Sequence, residues 1–147
     1  MYKLFIAILL FTFPVVSIAD PVVWVNVGFL SHHFKRVGYN EKNTGVGVEV
    51  DNFTVGIYRN SVRQTSTYLG YKYQPFVAES SIAVIKAGLT FGTVNGYPDL
   101  DDKGFVPMIV PTVSVEGQRF GANIVFSPTY RRIDGFVAIQ LKVKFGK

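Results

Sequence analysis

The chain lacks cysteine, so no disulfide stabilises it. Beyond residue 20 it also lacks an apolar run of 18 residues, which excludes a transmembrane helix from that part of the sequence. Charge is modest, with a net +5 that is not gathered into a basic stripe. This distribution argues against a nucleic-acid partner and is more compatible with anionic lipid head groups. An exported domain without disulfides must be held by a good core or by a membrane.

The first nineteen residues have the pattern of a secretory signal peptide. Lys3 precedes an apolar run from Leu4 to Val16, and Ser17 and Ala19 supply the small residues of a cleavage site. The alternative is a transmembrane anchor, for which the apolar run is short. We therefore predict a signal peptide at 1–19 and one exported domain at 20–147. Its net charge is +4, because one positive charge, Lys3, leaves the total of +5.

What the remaining sequence has is alternation with a period of two, which is typical of β-strands. Eight segments show it, with aliphatic or aromatic residues on one face and glycine, hydroxyl, amide or charged residues on the other. In the first segment we predict that one, apolar face is formed by Val23, Val25, Val27 and Phe29. The opposite face is formed by Trp24, Asn26, Gly28 and Leu30. The polar faces of the later segments include Glu49, Lys72, Lys86, Arg119 and Lys142.

The connections between these segments alternate in length. Residues 35–42, 61–65, 95–104 and 129–134 are longer and polar, whereas 51–52, 76–80 and 117–118 are shorter. This pattern predicts an all-β fold, an eight-stranded antiparallel up-and-down transmembrane β-barrel with its long loops on the outer side. The alternative is a soluble calycin-like barrel with an apolar interior, which the many glycines on the polar face disfavour.

A candidate catalytic site follows from this topology. Strands one and three both end at the outer rim, so the only histidines, His32 and His33, lie near the Asn60-Ser61 pair. A hydroxyl, a base and a group that orients the base are the parts of an acyl-transfer site. Ser61, His33 or His32, and Asn60 meet that list. The alternative is a solvated polar loop beside two surface histidines.

Four motifs make the chain similar to the lipid A palmitoyltransferase (PagP) family. They are "YNEKNTGVG" at 39–47, "IYRNSVRQTSTYLGY" at 57–71, "FVPMIVPTVSVEGQRFGANIVFSPTY" at 105–130 and "GFVAIQLKVKF" at 135–145. The resemblance implies an outer-membrane barrel that moves an acyl chain from a phospholipid to lipid A or another lipid. It implies a monomer whose partners are these lipids, with no metal and no soluble cofactor.

The resemblance also assigns residues. It implies His33, Asn60 and Ser61 as catalytic residues, although the family has an aspartate where Asn60 stands. It implies Tyr39, Lys72, Pro111 and Pro128 as substrate-binding residues. Both prolines lack the N–H of a strand ladder and mark places where the family's barrel wall opens to lipid tails.

Lys72 stands where the family has the glycine that ends the acyl-chain pocket. A lysine there predicts an ion pair inside the barrel, with Glu49 as the partner. A polar, packed interior would favour an alternative function, that of a non-catalytic barrel with a structural or interaction role through its outer loops.

Overall fold

The computed structural model describes residues 20–35, 38–100 and 104–146. The predicted signal peptide at 1–19 lies outside these residues. Eight strands follow one another along the chain: β1 Val23–His33, β2 Lys42–Val50, β3 Phe53–Arg59, β4 Thr65–Glu79, β5 Val84–Val94, β6 Val106–Glu116, β7 Phe120–Ser127 and β8 Phe136–Phe145. Each strand pairs antiparallel with the next, and β8 pairs with β1, so the sheet closes into a barrel. The predicted eight-stranded up-and-down barrel is confirmed.

The two ends of the barrel differ as the loop lengths predicted. One end, here called the loop end, carries the described residues of the connections 34–41, 60–64, 95–105 and 128–135. The other, the turn end, carries residues 51–52, 80–83 and 117–119. The predicted turn at 76–80 was misplaced, because β4 continues to Glu79 through a register shift between Tyr73 and Phe76. That irregularity accommodates Pro75, which cannot donate to a regular ladder.

Side-chain alternation holds along most strands. Valines, leucines, isoleucines and aromatic residues cover the outer surface, and many are exposed, such as Leu69, Ile109, Leu141 and Phe145. The interior, or lumen, holds polar side chains such as Asn26, Glu49, Lys72 and Lys142. The prediction that Arg119 lies on the polar inner face of a strand is wrong, because Arg119 lies in the turn after β6 and is exposed.

The second half of β1 has the opposite orientation to the one predicted. In the pairing of β1 with β8, a register shift lies between Asn26, which is opposite Lys142, and Phe29, which is opposite Gln140, so the extra residue is on β1. A β-bulge adds one residue to a strand and so reverses the faces beyond it. Phe29 therefore points into the lumen, where it lines a cavity, and Leu30 is exposed on the outer surface. This shift also brings His33 to the inner face.

A cluster of charged side chains fills the turn-end half of the lumen. The lumen cluster, as we call it, consists of Glu49, Lys72, Lys86, Glu116 and Lys142. Glu49 binds Lys72, as predicted, and also lies 3.0 Å from the Lys142 ammonium. Glu116 lies 2.8 Å from Lys142 and 2.7 Å from Lys86. Because each buried ammonium has a carboxylate partner, the barrel can hold these charges away from water.

Candidate functional site

The site begins with the two adjacent histidines at the end of β1. His32 faces outward, with 57% of its side chain exposed, and its Nδ1 lies 3.4 Å from Glu41 Oε1. His33 faces inward and is only 5% exposed. Strand alternation places neighbours on opposite faces, so one histidine of the pair enters the lumen. That residue is His33.

Aromatic rings and one backbone bond surround His33. The imidazole stacks on Tyr39 with a centroid distance of 4.3 Å and lies 5.4 Å from the ring of Phe136. Its backbone N–H donates to Glu41 Oε1 at 3.2 Å. Its Nδ1 is buried and has no hydrogen-bond partner within the described ranges. Buried polar atoms are nearly always paired, so an unpaired buried nitrogen sets His33 apart from the other lumen side chains.

Ser61 lies in the loop between β3 and β4 and faces the same space. It is half-buried and lines both of the cavities described below, as His33 does. Two tyrosine hydroxyls, Tyr58 and Tyr97, lie 2.8 Å apart beside it. Desolvation raises the pKa of Tyr97, and hydrogen bonds with Tyr58, Ser61 and Ser66 oppose this effect. The Tyr97 hydroxyl therefore stays protonated at neutral pH and can donate a hydrogen bond.

Asn60 does not have the role proposed for it from the sequence. Its Nδ2 donates to Ser66 Oγ at 3.0 Å and to the Gly96 carbonyl at 2.6 Å. Its Oδ1 accepts from the backbone N–H groups of Val62 at 3.1 Å and Gln64 at 2.9 Å. These four bonds use the full capacity of the amide. Asn60 therefore shapes the loop that carries Ser61, rather than orienting His33.

Two connected cavities open from this group. The inner one has a volume of about 100 Å³ and runs from His33 and Ser61 to Lys72, where it ends; Glu49 and Lys142 do not line it. The outer one has a volume of about 210 Å³ and lies between loops 95–105 and 128–135 and the loop-end part of β6. Seven residues line both: His33, Tyr58, Ser61, Tyr97, Met108, Val110 and Phe136.

The barrel wall is incomplete beside the outer cavity. Strand β6 pairs with β5 along its whole length, but its ladder with β7 covers only Thr112 to Glu116. Residues 106–111 of β6 therefore have no partner on the β7 side among the described residues. Pro111 is the last residue before that ladder, and Pro128 directly follows β7. The two prolines predicted to open the wall thus flank this gap.

The Tyr39 side chain links His33 to a carboxylate. Its hydroxyl donates to Asp134 Oδ2 at 2.6 Å, and the Lys35 ammonium lies 2.8 Å from Asp134 Oδ1. The bonds from Lys35 and Tyr39 lower the pKa of Asp134, and the bond to Asp134 raises the pKa of Tyr39. Asp134 is therefore ionised at neutral pH.

Sequence reasoning missed Tyr58, Tyr97 and Asp134. Tyr97 and Asp134 belong to loops without periodicity, and Tyr58 read as one more lumen-facing strand residue. Their contacts join positions 39 and 95 residues apart. No local sequence signal indicates such pairings.

No protein-family model and no curated protein matches this chain. In the described ranges, no helix has the length and apolar character needed to cross a membrane.

Proposed function

We propose that this chain is an outer-membrane acyltransferase that moves an acyl chain from a phospholipid to lipid A or another lipid. One observation carries the proposal: His33, whose buried Nδ1 has no partner among the described residues, lines with Ser61 the cavities beside an unpaired stretch of barrel wall. An acyl-transfer site needs a base and a hydroxyl in a space that excludes water and admits an ester. The outer surface of exposed apolar side chains supports a membrane location.

The reaction assigns a role to each side chain. His33 accepts the proton of the attacking hydroxyl, either that of Ser61 or that of the acceptor lipid. The hydroxyl oxygen bonds to the ester carbonyl carbon, and the bond to the lysophospholipid oxygen breaks. That oxygen leaves with the proton returned by His33. If Ser61 attacks, a second step follows in which His33 takes the proton of the acceptor hydroxyl, the acceptor oxygen bonds to the acyl carbon, and the ester bond to Ser61 Oγ breaks as that oxygen regains the proton. If the acceptor attacks directly, the Ser61 hydroxyl polarises the ester carbonyl. The Tyr97 hydroxyl is a donor for the negative charge that develops on the carbonyl oxygen.

The test is expression in a Gram-negative outer membrane that lacks its own palmitoyltransferase. Mass spectrometry of lipid A and of the phospholipids should find an added acyl mass on an acceptor and a matching lysophospholipid. The variants Ser61→Ala and His33→Asn should lose this product. His32→Asn is the matched control, because His32 is exposed and lines neither cavity. Wild-type protein that adds no acyl mass to any lipid would contradict the proposal, and activity that survives Ser61→Ala and His33→Asn would contradict the site.

A second function is favoured by the size of the inner cavity. A cavity of roughly 150 Å³ holds a benzene molecule, so about 100 Å³ is too little for a long acyl chain. Lys72 and the rest of the lumen cluster prevent the cavity from extending further. The alternative is therefore a non-catalytic barrel that acts through its outer loops. Mass spectrometry separates the two functions, and a product confined to short acyl chains would support the enzyme while explaining the cavity.

A further inference from the structure

An aromatic side chain lies against the imidazole of His33, whereas the Asn60 amide makes its hydrogen bonds within its own loop and to Ser66 and Gly96. Tyr39 covers one side of the imidazole, with an angle of 34° between the ring planes. Phe136, the residue that pairs with His33 across β1 and β8, lies on the ring as well. A stacked ring fixes the plane of its neighbour only if the stacked ring is itself fixed.

Asp134 fixes the Tyr39 ring. The phenol and the carboxylate form a charge-assisted bond of 2.6 Å, a length at which such bonds are strong. The Lys35 ammonium lies 2.8 Å from the second carboxylate oxygen, so both oxygens of Asp134 have a partner. Tyr39 and Asp134 come from loops 34–41 and 128–135, which are joined near His33 by the bond from the Phe34 N–H to the Gly135 carbonyl at 2.9 Å.

The titratable groups near His33 come from these two loops and from the end of β1. They are Glu41, whose Oε1 accepts the His33 N–H, the exposed His32, and the Lys35–Asp134 pair. In a triad, a carboxylate orients the imidazole and stabilises the imidazolium that forms during the reaction. Asn60 has no charge to contribute, and its amide is fully engaged in its own loop.

We propose that Tyr39 and Asp134 are positioning residues for His33, with Asp134 supplying through Tyr39 the carboxylate that Asn60 does not provide. The activity part of this inference rests on the proposed acyltransferase function. The orientation part does not, because the imidazole environment can be measured in the full-length barrel without any substrate.

The first test is NMR of the ¹⁵N-histidine-labelled protein in micelles. The chain has two histidines, so His32→Asn assigns both imidazole spectra. We expect the His33 signals to shift in Tyr39→Phe, which keeps the ring but loses the hydroxyl, and in Asp134→Ala. Tyr130→Phe is the matched control, because Tyr130 is an exposed tyrosine in the same loop as Asp134. The unboiled protein's mobility on gels checks that each variant forms a barrel.

The second test is kinetic. We expect Tyr39→Phe and Asp134→Ala each to lower kcat roughly tenfold with little change in KM, because neither residue lines the inner cavity and the main effect is displacement of the base. The double variant should be no slower than either single variant, because each substitution removes the same hydrogen bond between Tyr39 and Asp134.

Three results would overturn the inference. They are His33 signals that stay unchanged in both single variants, kcat losses that multiply in the double variant, and losses that appear in KM alone. If the wild type transfers no acyl chain, the acyltransferase proposal fails and the NMR shifts alone decide the positioning role. Unchanged signals in a folded Tyr39→Phe barrel then refute it.

Discussion

At the scale of single residues, Asn60 stands where a catalytic acid would be expected but has a structural role in its loop. Next to Ser61, an aspartate would carry the negative charge that a catalytic triad needs. In the structure, the Asn60 amide donates two hydrogen bonds and accepts two. Only an asparagine presents both an NH₂ and a carbonyl in this small space. The residue is therefore fixed by the loop, whatever chemistry Ser61 performs.

Replacing Asn60 by aspartate should destabilise the protein and should not raise activity. A carboxylate cannot donate to Ser66 or to the Gly96 carbonyl, and its oxygen would face that carbonyl at the present 2.6 Å separation. We expect a loss of about 2–3 kcal/mol in the free energy of unfolding, the cost of unpaired buried groups. Urea unfolding in lipid vesicles measures it.

Asn95→Asp is the matched control for that experiment. Asn95 Oδ1 accepts from the Thr67 N–H at 2.7 Å, a bond that a carboxylate keeps. Equal losses for the two variants would contradict the role assigned to Asn60, and a gain of acyl transfer in Asn60→Asp would restore the triad hypothesis.

At the scale of elements, the bulge in β1 decides which histidine enters the barrel. Gly28 lies at the register shift, and a Cβ built there would lie 1.9 Å from the Asn43 carbonyl oxygen. Only glycine allows the neighbouring backbone of β2 to approach so closely. Without the bulge, strict alternation would place Phe29 outside and Leu30 inside.

Gly28→Ala should therefore destabilise the barrel by on the order of 3 kcal/mol, the upper end of overpacking costs. Gly70→Ala is the control, because a Cβ at Gly70 would have its nearest neighbour, the Thr90 side chain, at 3.0 Å and the nearest backbone atom, the Phe91 carbonyl oxygen, at 3.2 Å. Unfolding in vesicles compares the two variants. A Gly28→Ala loss no larger than that of Gly70→Ala would show that the bulge tolerates a side chain.

These elements also show what the sequence can predict. Period-two alternation and loop length were sufficient for eight strands, closure of the barrel and the faces of most strands. They could not locate the bulges in β1 and β4, because a bulge depends on how the partner strand packs. The sequence brought His33 and Ser61 to one end, and both line the same cavities. The contacts of Asn60, Tyr97 and Asp134 depend on loops that meet only after the barrel closes.

At the scale of the whole molecule, the lumen cluster replaces an apolar core. Glu49 accepts from both Lys72 and Lys142, and Lys142 also lies 4.7 Å above the Trp24 ring. Removing one partner from a buried ion pair leaves an uncompensated charge, which costs far more than losing an exposed pair. The free energy of unfolding should therefore depend strongly on Glu49.

Glu49→Gln should lower the free energy of unfolding by about 3–5 kcal/mol, because Lys72 then has no carboxylate partner among the described residues. Lys86→Met should cost no more than about 1 kcal/mol, since 36% of the Lys86 side chain is exposed. Urea unfolding of both variants in vesicles tests this. Similar losses for the two would mean that water reaches the lumen cluster.

The outer surface of the strands distinguishes a membrane barrel from a soluble one. Leu141 lies in the middle of β8, is 57% exposed, and has Ile139 and Val143 as exposed neighbours on the same face. If this face contacts lipid, Leu141→Lys places an ammonium near the bilayer midplane and should cost about 2–4 kcal/mol in vesicles. Tyr130→Lys, on the loop end, should cost about 0–1 kcal/mol.

In a soluble barrel, the difference between these two variants would disappear. A lysine at position 141 would then add charge to a water-exposed face, and the two substitutions would have equal, small effects on unfolding. The wild type would also stay monomeric without detergent despite its exposed apolar face, which soluble monomers rarely tolerate. Measuring both variants in vesicles and the wild type in buffer therefore tests the membrane location independently of any enzymatic activity.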